Sequence, residues 1–567
     1  MLNGRMRWKL AMVGLLAVAA MLAGSGTTQA AEAVPLGRIC FQNPTALIAK
    51  AQALVEKFVP GQGAMVAMGA QQMMNQTSLA GVDWGKPVSV AFFSGKAFGQ
   101  DEPAVVLLLH LSDAEKFKAA HAAGNAMGGP KFNEIRGTLA IFSDNKAALA
   151  AITERRQTLY GAYPAIAAGT DVYFTFYIAR ALTEYQGDID KGLTELEQQI
   201  GNMPPQLAIA GTWLKIFRPM VQFSSKQFHR ISLMGGLKAD SIDFSGRLYP
   251  VEGSELGTAF AEQPATASTL GGYLPDNLAM GATLNLDIQK LRPLMEGMIG
   301  ILAPVLEMDK DKLVELVYSS TQTGETASGI IGDPLQKGMV VAQVNKITDG
   351  AKYLTAAKSV SEQMMQGGIG KLLNAAGMKV TMAHQGQARE HNGVQVDRLT
   401  VTFAPADGAA PNPGMPQMPP QVTEMAAAGG IGFATTNNEA GDVLNAMIDK
   451  AKAGAPGASK DFAKAIAAAP QGTNGILFLK FNTFIAKILE EAAKQQPAVA
   501  MMAGVFKADP AEAPITANLQ FVKGRMHFGV RVPHQPLVDL STRVRMMMGG
   551  MGGARPAGPP PKRGNDF

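Results

Sequence analysis

A chain of 567 residues, 47% of them hydrophobic, exceeds what one hydrophobic core serves, so at least two domains are expected. Its single cysteine, Cys40, excludes an intrachain disulfide and leaves core burial to supply stability. The formal net charge of +5 resides at the ends: with Arg5, Arg7, Lys9 and the residues from Ser541 onward set aside, 43 of the 51 basic residues face 45 of the 46 acidic ones, a balance that gives no support for a nucleic-acid-binding face.

Residues 1–33 read as a secretory signal peptide. Arg5, Arg7 and Lys9 precede an apolar run from Leu10 to Ala23, and small residues offer cleavage after Ala30 or Ala33. The run is shorter than the about 20 residues a membrane span needs, and Met6 between the two arginines does not support a twin-arginine route. Later apolar stretches, such as Val105–Leu109 and Ile476–Phe481, are strand-sized. The expectation is an exported bacterial protein, periplasmic or secreted, with no transmembrane span once the signal is cleaved. Cys40, preceded by Arg38-Ile39 rather than small residues, reads as a buried strand cysteine and not as an acylation site.

Lobe one, 34–262, opens with GRICFQNPTALIAKAQALVEK from Gly37, a strand running into a helix. A strand Val105–Leu111 follows, ending in Ser112-Asp113, where Ser112 is expected to cap the next helix and Glu115 to complete a capping box. Next come a strand Leu139–Phe142 ending in Ser143-Asp144-Asn145, a second strand-helix unit at Gly169 (GTDVYFTFYIARALTEY), and a strand Ile242–Leu248. Residues 263–274, QPATASTLGGYL, lack periodicity and read as a linker.

Lobe two, 275–545, repeats these landmarks in order at Gly281, Val340–Ile347 with Thr348-Asp349, Gly432–Ala434, Gly472 and Met526–Val532. The stretch GTNGILFLKFNTFIAKILEEAAK from Gly472 matches the unit at Gly169, with Ile178-Ala179-Arg180 set against Ile485-Ala486-Lys487 and Phe174 against Phe478. Ordered self-similarity of this kind points to internal duplication. An insertion of about 57 residues in lobe two accommodates a hairpin Lys379–Phe403 turning at Asn392-Gly393 and a Pro/Met-rich segment, 404–421, expected to be a mobile loop. Ile515, Ala517, Leu519 and Phe521 alternate with polar residues, turn at Lys523-Gly524 and return through Met526, Phe528, Val530 and Val532, a hairpin with one buried face. Residues 546–567 read as a disordered Met/Gly/Pro tail. The expected fold class is α+β: two duplicated lobes, each a mostly antiparallel sheet with helices packed on one face.

No catalytic signature stands out, and no catalytic, cofactor-binding or metal-ligating residue is assigned. Serine-hydrolase elbows, zincin helices and dithiol pairs are missing from the sequence. Gly367-Gly368-Ile369-Gly370-Lys371 lacks the leading glycine and the Ser/Thr of a phosphate loop and reads as a turn. Asp188 with Asp190, Asp309 with Asp311, Glu197, and Glu490-Glu491 read as solvated carboxylates, and His384 with His391 as separate hairpin residues rather than a metal pair. Methionine is in excess, 32 residues, clustered at Met364-Met365, at Met415 with Met418, and at Met546 to Met548 with Met551; adaptable apolar filler is preferred over a Cu(I) site.

The duplicated, disulfide-free, two-lobed plan resembles large exported bacterial proteins of unknown-function families. The likeness is of architecture over most of the mature chain, without a diagnostic motif, so it carries no functional residue across. The functional expectation is a non-catalytic envelope protein that binds an amphiphile or a protein partner in apolar grooves, with no cofactor and no nucleic acid. The alternatives are an exported hydrolase whose site assembles only in three dimensions, or a structural assembly component.

Overall fold

The computed structural model describes residues 35–552 except 76–78, 99–102, 125–131, 155–168, 202–207, 306–308, 321–323, 332–338, 367–377, 406–419, 439–440, 455–458, 496–498, 500–502, 504–505, 507–508 and 510. The expected signal peptide, the Gly367–Lys371 turn and nearly all of the Pro/Met-rich segment lie outside the described residues.

In chain order the first half contains β1 (Pro35–Phe41), α1 (Pro44–Phe58), α2 (Gly63–Met74), β2 (Val88–Phe93), β3 (Ala104–His110), α3 (Ala114–Gly124), β4 (Phe132–Arg136), β5 (Leu139–Ser143), α4 (Lys146–Glu154), β6 (Val172–Phe176), α5 (Ile178–Gly201), α6 (Ala208–Gln227), β7 (Phe228–Leu237), β8 (Ser241–Pro250) and α7 (Glu255–Ala261). The second half contains β9 (Leu278–Asn285), α8 (Arg292–Val305), α9 (Lys310–Ser320), β10 (Glu325–Ile331), β11 (Val340–Lys346), α10 (Gly350–Gln366), β12 (Met378–His391), β13 (Val394–Pro405), β14 (Gln421–Ala428), β15 (Ile431–Thr436), α11 (Asp442–Lys452), α12 (Lys460–Ala468), β16 (Thr473–Leu479), α13 (Phe481–Gln495), β17 (Ile515–Val522), β18 (Arg525–Pro533) and α14 (His534–Gly552). The fold is α+β.

The eighteen strands among the described residues belong to one antiparallel sheet. Their lateral order is β4-β5-β3-β2-β1-β6-β7-β8, then β18-β17-β16-β9-β10-β11-β15-β14-β13-β12. The expectation of a separate sheet in each lobe is therefore corrected: β8 and β18 pair from Ser241↔Pro533 to Leu248↔Met526, and this seam joins the halves. Read outward from the seam, both halves visit their strands in one order, with β12 and β13 added at the far edge of the second.

Helices cover both faces of the sheet, not one as expected. All five residues of β5 are buried, as is the case only when both sheet faces are covered. On one side Phe117 of α3 meets Phe142 edge to face at 5.6 Å; on the other, Ala148 and Leu149 of α4 join Leu139 and Ile141. In the second half α10 sets Tyr353 against Gly432, while Leu444, Met447 and Ile448 of α11 join the core around Phe433.

Local chemistry explains several boundaries. Asp113, not Ser112, accepts from the Lys116 N–H at 2.9 Å, and Asp349 does the same for Lys352 at 3.0 Å. The caps fall one residue later than the sequence suggested because α3 starts at Ala114, and Ser112 Oγ instead donates to the Gly81 carbonyl. Asn392 and Gly393, both at positive φ, make the two-residue turn between β12 and β13, and His391 pairs with Val394 as expected. The segment 263–274 is packed: Leu270 and Leu274 lie in the second-half core, and Ser268 Oγ donates to buried Glu325 at 3.0 Å. α14 runs through 546 to Gly552, so that boundary falls inside a helix, in keeping with the good helix propensity of methionine.

The matched strand-helix units superpose in their hydrogen bonding but at a different offset. Tyr177 N–H donates to the Leu36 carbonyl at 2.7 Å and Lys480 N–H to the Ala279 carbonyl at 2.8 Å, which sets Ile178 against Phe481 rather than Ile485. Ile485 is thus one helical turn further along and only half-buried, whereas Ile178 is fully buried. Phe174 and Phe478 both lie in strands but on opposite faces, because their spacing differs by one residue from that of the hydrogen-bonded pair Tyr177 and Lys480 and a one-residue slip inverts the face.

Candidate functional site

The site grows out of the seam. Strand alternation sends Ile231, Leu233, Phe244, Leu248, Met526, Phe528, Val530, Ala517, Leu519 and Phe521 to one face of β7, β8, β18 and β17. At one end that face is roofed. Leu256 and Phe260 of α7 bury Leu248 and pack on Met526 and Phe521, with the Phe260 and Phe521 rings 4.9 Å apart.

Phe244 lies four residues from Leu248 along β8, about 13 Å at the usual strand rise, and the roof does not reach it. It is 51% exposed, and Leu233 on β7 is 37% exposed. Phe528, Val530, Leu519 and Ala517 beside them are half-buried. No titratable side chain of the four strands points to this strip. Its floor is fixed by a close approach: a Cβ at Gly246 would lie 2.1 Å from Phe528 Cζ, so only glycine lets the ring lie flat across β8. The strip crosses four strands, about 14 Å, and is long and narrow.

The crevice between α5 and α6, lined by Leu182, Ile189, Asp190, Arg218, Val221 and Gln222 among others, has a volume of about 20 Å³, room for about one water. Among the described residues no three His, Cys, Asp or Glu side chains are grouped so as to hold a metal.

The residues weighed from sequence are dispersed by the fold. His384 sits 3.3 Å from Asp397 and His391 sits 2.8 Å from Asp449, each with its own carboxylate. Asp188 pairs with Lys96 at 2.7 Å; Asp190 and Glu197 flank Arg218 at 3.8 and 3.5 Å. Asp309 caps α9, accepting from the N–H groups of Asp311 and Lys312. Glu490 is half-buried on α13. Burial raises the Cys40 thiol pKa, which Arg38 counters only in part, so the thiolate is disfavoured. Met546 is exposed on α14, and Met415 and Met418 lie outside the described residues. Sequence reasoning found the β17–β18 half of the strip through its alternation but missed Leu233 and Phe244. The signal for them was weak, because the glycines and polar residues of β7 and β8 dilute their period.

Compared with protein-family models, curated proteins and solved structures, the chain matches none.

Proposed function

We propose that the chain is an exported, non-catalytic envelope protein, released by cleavage of its signal peptide near Ala30 to Ala33, that binds the hydrocarbon part of an amphiphile along the seam strip. The observation that carries this reading is the exposure of Phe244 and Leu233 on a sheet face whose other side chains are apolar and buried or half-buried. A narrow floor without titratable groups favours a slender apolar chain over a charged or polar ligand.

The same reading includes internal duplication. It is supported by the common strand order and by the seam itself, where Arg247 pairs with His527 and Asp243 with Arg531. With the halves offset by about 284 residues, these two pairs exchange about Ser245↔Gly529, as they do at the two-fold axis of an isologous dimer. The helix after the first strand of each half packs on the helix that closes the other: α1 on α14, and α8 on α7. We read the seam strip as a feature lying on this pseudo-two-fold.

The test is binding of a fluorescent long-chain fatty acid to the mature protein, alongside mass spectrometry of lipid extracted from natively purified material. Phe244→Asp and Leu233→Asp change exposed positions and should each weaken probe binding at least tenfold with the fold intact. A wild-type protein that binds no probe and carries no lipid, or variants that bind as well as wild type, would reject the reading; saturable binding of an envelope protein in place of the probe would assign the strip to a protein partner.

A further inference from the structure

The opposite face of the same seam is polar and cationic. Ser232 of β7, Arg247 of β8, His527 of β18 and Gln520 of β17 form one cross-strand row. In the neighbouring row the Tyr249 ring has the Arg230 guanidinium carbon 3.9 Å away and that of Arg525 5.0 Å away. Arg247 is the diagonal cross-strand neighbour of both Arg230 and Arg525, and such neighbours sit about 7–8 Å apart.

Among the described residues Arg230, Arg247 and Arg525 have no carboxylate in salt-bridge contact, whereas Arg531, two same-face rows beyond His527 along β18, holds Asp240 at 2.7 Å. Arg230 Nε is buried with no hydrogen-bond partner. The field is felt by the nearby imidazoles: burial, then Arg247 and Arg525, push the His527 pKa down, and burial with Arg230 does the same to His229. A nearly neutral body thus concentrates on one patch of sheet three guanidiniums that have no carboxylate partner among the described residues.

We infer that this patch is a binding site for a phosphate group, carried by a soluble phosphoester or by a lipid headgroup, with Arg230, Arg247 and Arg525 as its ligands. A carboxylate bridges at most two forks, as Glu424 does between Arg389 and Arg398; two forks on the Tyr249 ring and a third on the diagonal neighbour Arg247 match a group with three or four acceptor oxygens. Tyr249 holds two of the forks in place by stacking, so little side-chain freedom is lost when the anion arrives. The site lies across the sheet from the apolar strip and does not depend on it.

The mature, full-length protein is titrated with inorganic phosphate, with glycerol 3-phosphate, and with phosphatidylglycerol vesicles against phosphatidylcholine vesicles. The readouts are the His527 imidazole resonance and vesicle co-sedimentation. Phosphate or glycerol phosphate is expected to shift the His527 signal in the wild-type protein, a result that needs no variant. Arg247→Gln and Arg525→Gln should each weaken binding at least tenfold, and Arg531→Gln should leave it unchanged. Binding of the soluble anions identifies a phosphoester site, and binding of phosphatidylglycerol alone a headgroup site. An unmoved His527 signal with all of these ligands overturns the inference. So does wild-type affinity in the two arginine variants.

Discussion

Glu424 of β14 is the sharpest place to perturb the second half of the sheet. Its side chain is 2% exposed and accepts from Arg389 Nε at 3.0 and 3.2 Å, from Arg389 Nη2 at 2.7 Å and from Arg398 Nη2 at 2.8 Å, while Arg389 Nη1 donates to Asn445 at 2.7 Å on α11. One carboxylate therefore ties β12, β13, β14 and α11 together. Glu424→Gln keeps the volume but sets an amide against two guanidiniums that are 24% and 38% exposed, and should cost about 2–3 kcal/mol, below the about 3–5 kcal/mol of a fully buried pair. The assay is urea unfolding of the full chain followed by circular dichroism, with hydrogen exchange of residues 378–436 locating the loss. Burial pushes the Glu424 carboxyl up, but the hydrogen bonds and charges of Arg389 and Arg398 outweigh it and hold the pKa below its ordinary value. The folded state then binds fewer protons than the unfolded one as acid is added. The contribution is complete above the unfolded carboxylate pKa near 4.5 and is lost as pH falls through the lower folded value. That acid limb should shrink in the variant. A loss below about 1 kcal/mol, or an unchanged acid limb, would falsify the view that this triad holds the outer sheet. Replacing all three charged residues by Met should be neutral or stabilising, since desolvation of the ions is then removed together with their attraction.

Three further outcomes are expected. Ile178→Ala should cost about 2–5 kcal/mol because the side chain is fully buried, and Ile485→Ala about 1–2 kcal/mol because it is half-buried; equal losses in thermal unfolding contradict the register assigned to α13. Gly246→Val should displace the Phe528 ring and cost about 1–3 kcal/mol, visible as a lowered unfolding midpoint, whereas a neutral result means the ring does not cross β8. His534, buried against the edge of Phe58, has its pKa lowered by burial and then by Lys57, against Asp240 and neighbouring backbone groups. The unfolded chain therefore takes up this proton first, so stability is complete above about pH 6.5 and falls as pH drops below it towards the folded value; His534→Gln should flatten that window in a pH series of melts, and an unaltered slope would show that the ring does not titrate there.

The sequence by itself determined the elements and their kind. Period-two alternation in β17 and β18, the strand-to-helix junctions at Gly169 and Gly472, and the turn at Asn392-Gly393 are written in local side-chain pattern and backbone preference, and the order in which the landmarks recur was legible before any coordinates. Pattern alone also found half of the apolar strip. It did not supply the register between the matched units. Ile178 resembles Ile485 by eye, yet the hydrogen bonds of Tyr177 and Lys480 set it against Phe481, and Phe174 and Phe478 consequently face opposite ways. Identity matches score residues, while a sheet distinguishes odd from even positions.

Only the tertiary structure decided that the halves share one sheet. Nothing in ISLMGGL or FSGRLYP says which strand will lie beside β8, because an edge strand offers the same backbone groups to any partner. The pairing with β18 brings Phe244 beside Val530 and Arg247 beside His527, residues about 280 positions apart in the chain. Both the exposed apolar strip and the arginine patch are consequences of that single long-range ladder. A strand's faces can be read from its own alternation, but what lies next to it on either face is set by which distant strand completes its hydrogen bonds.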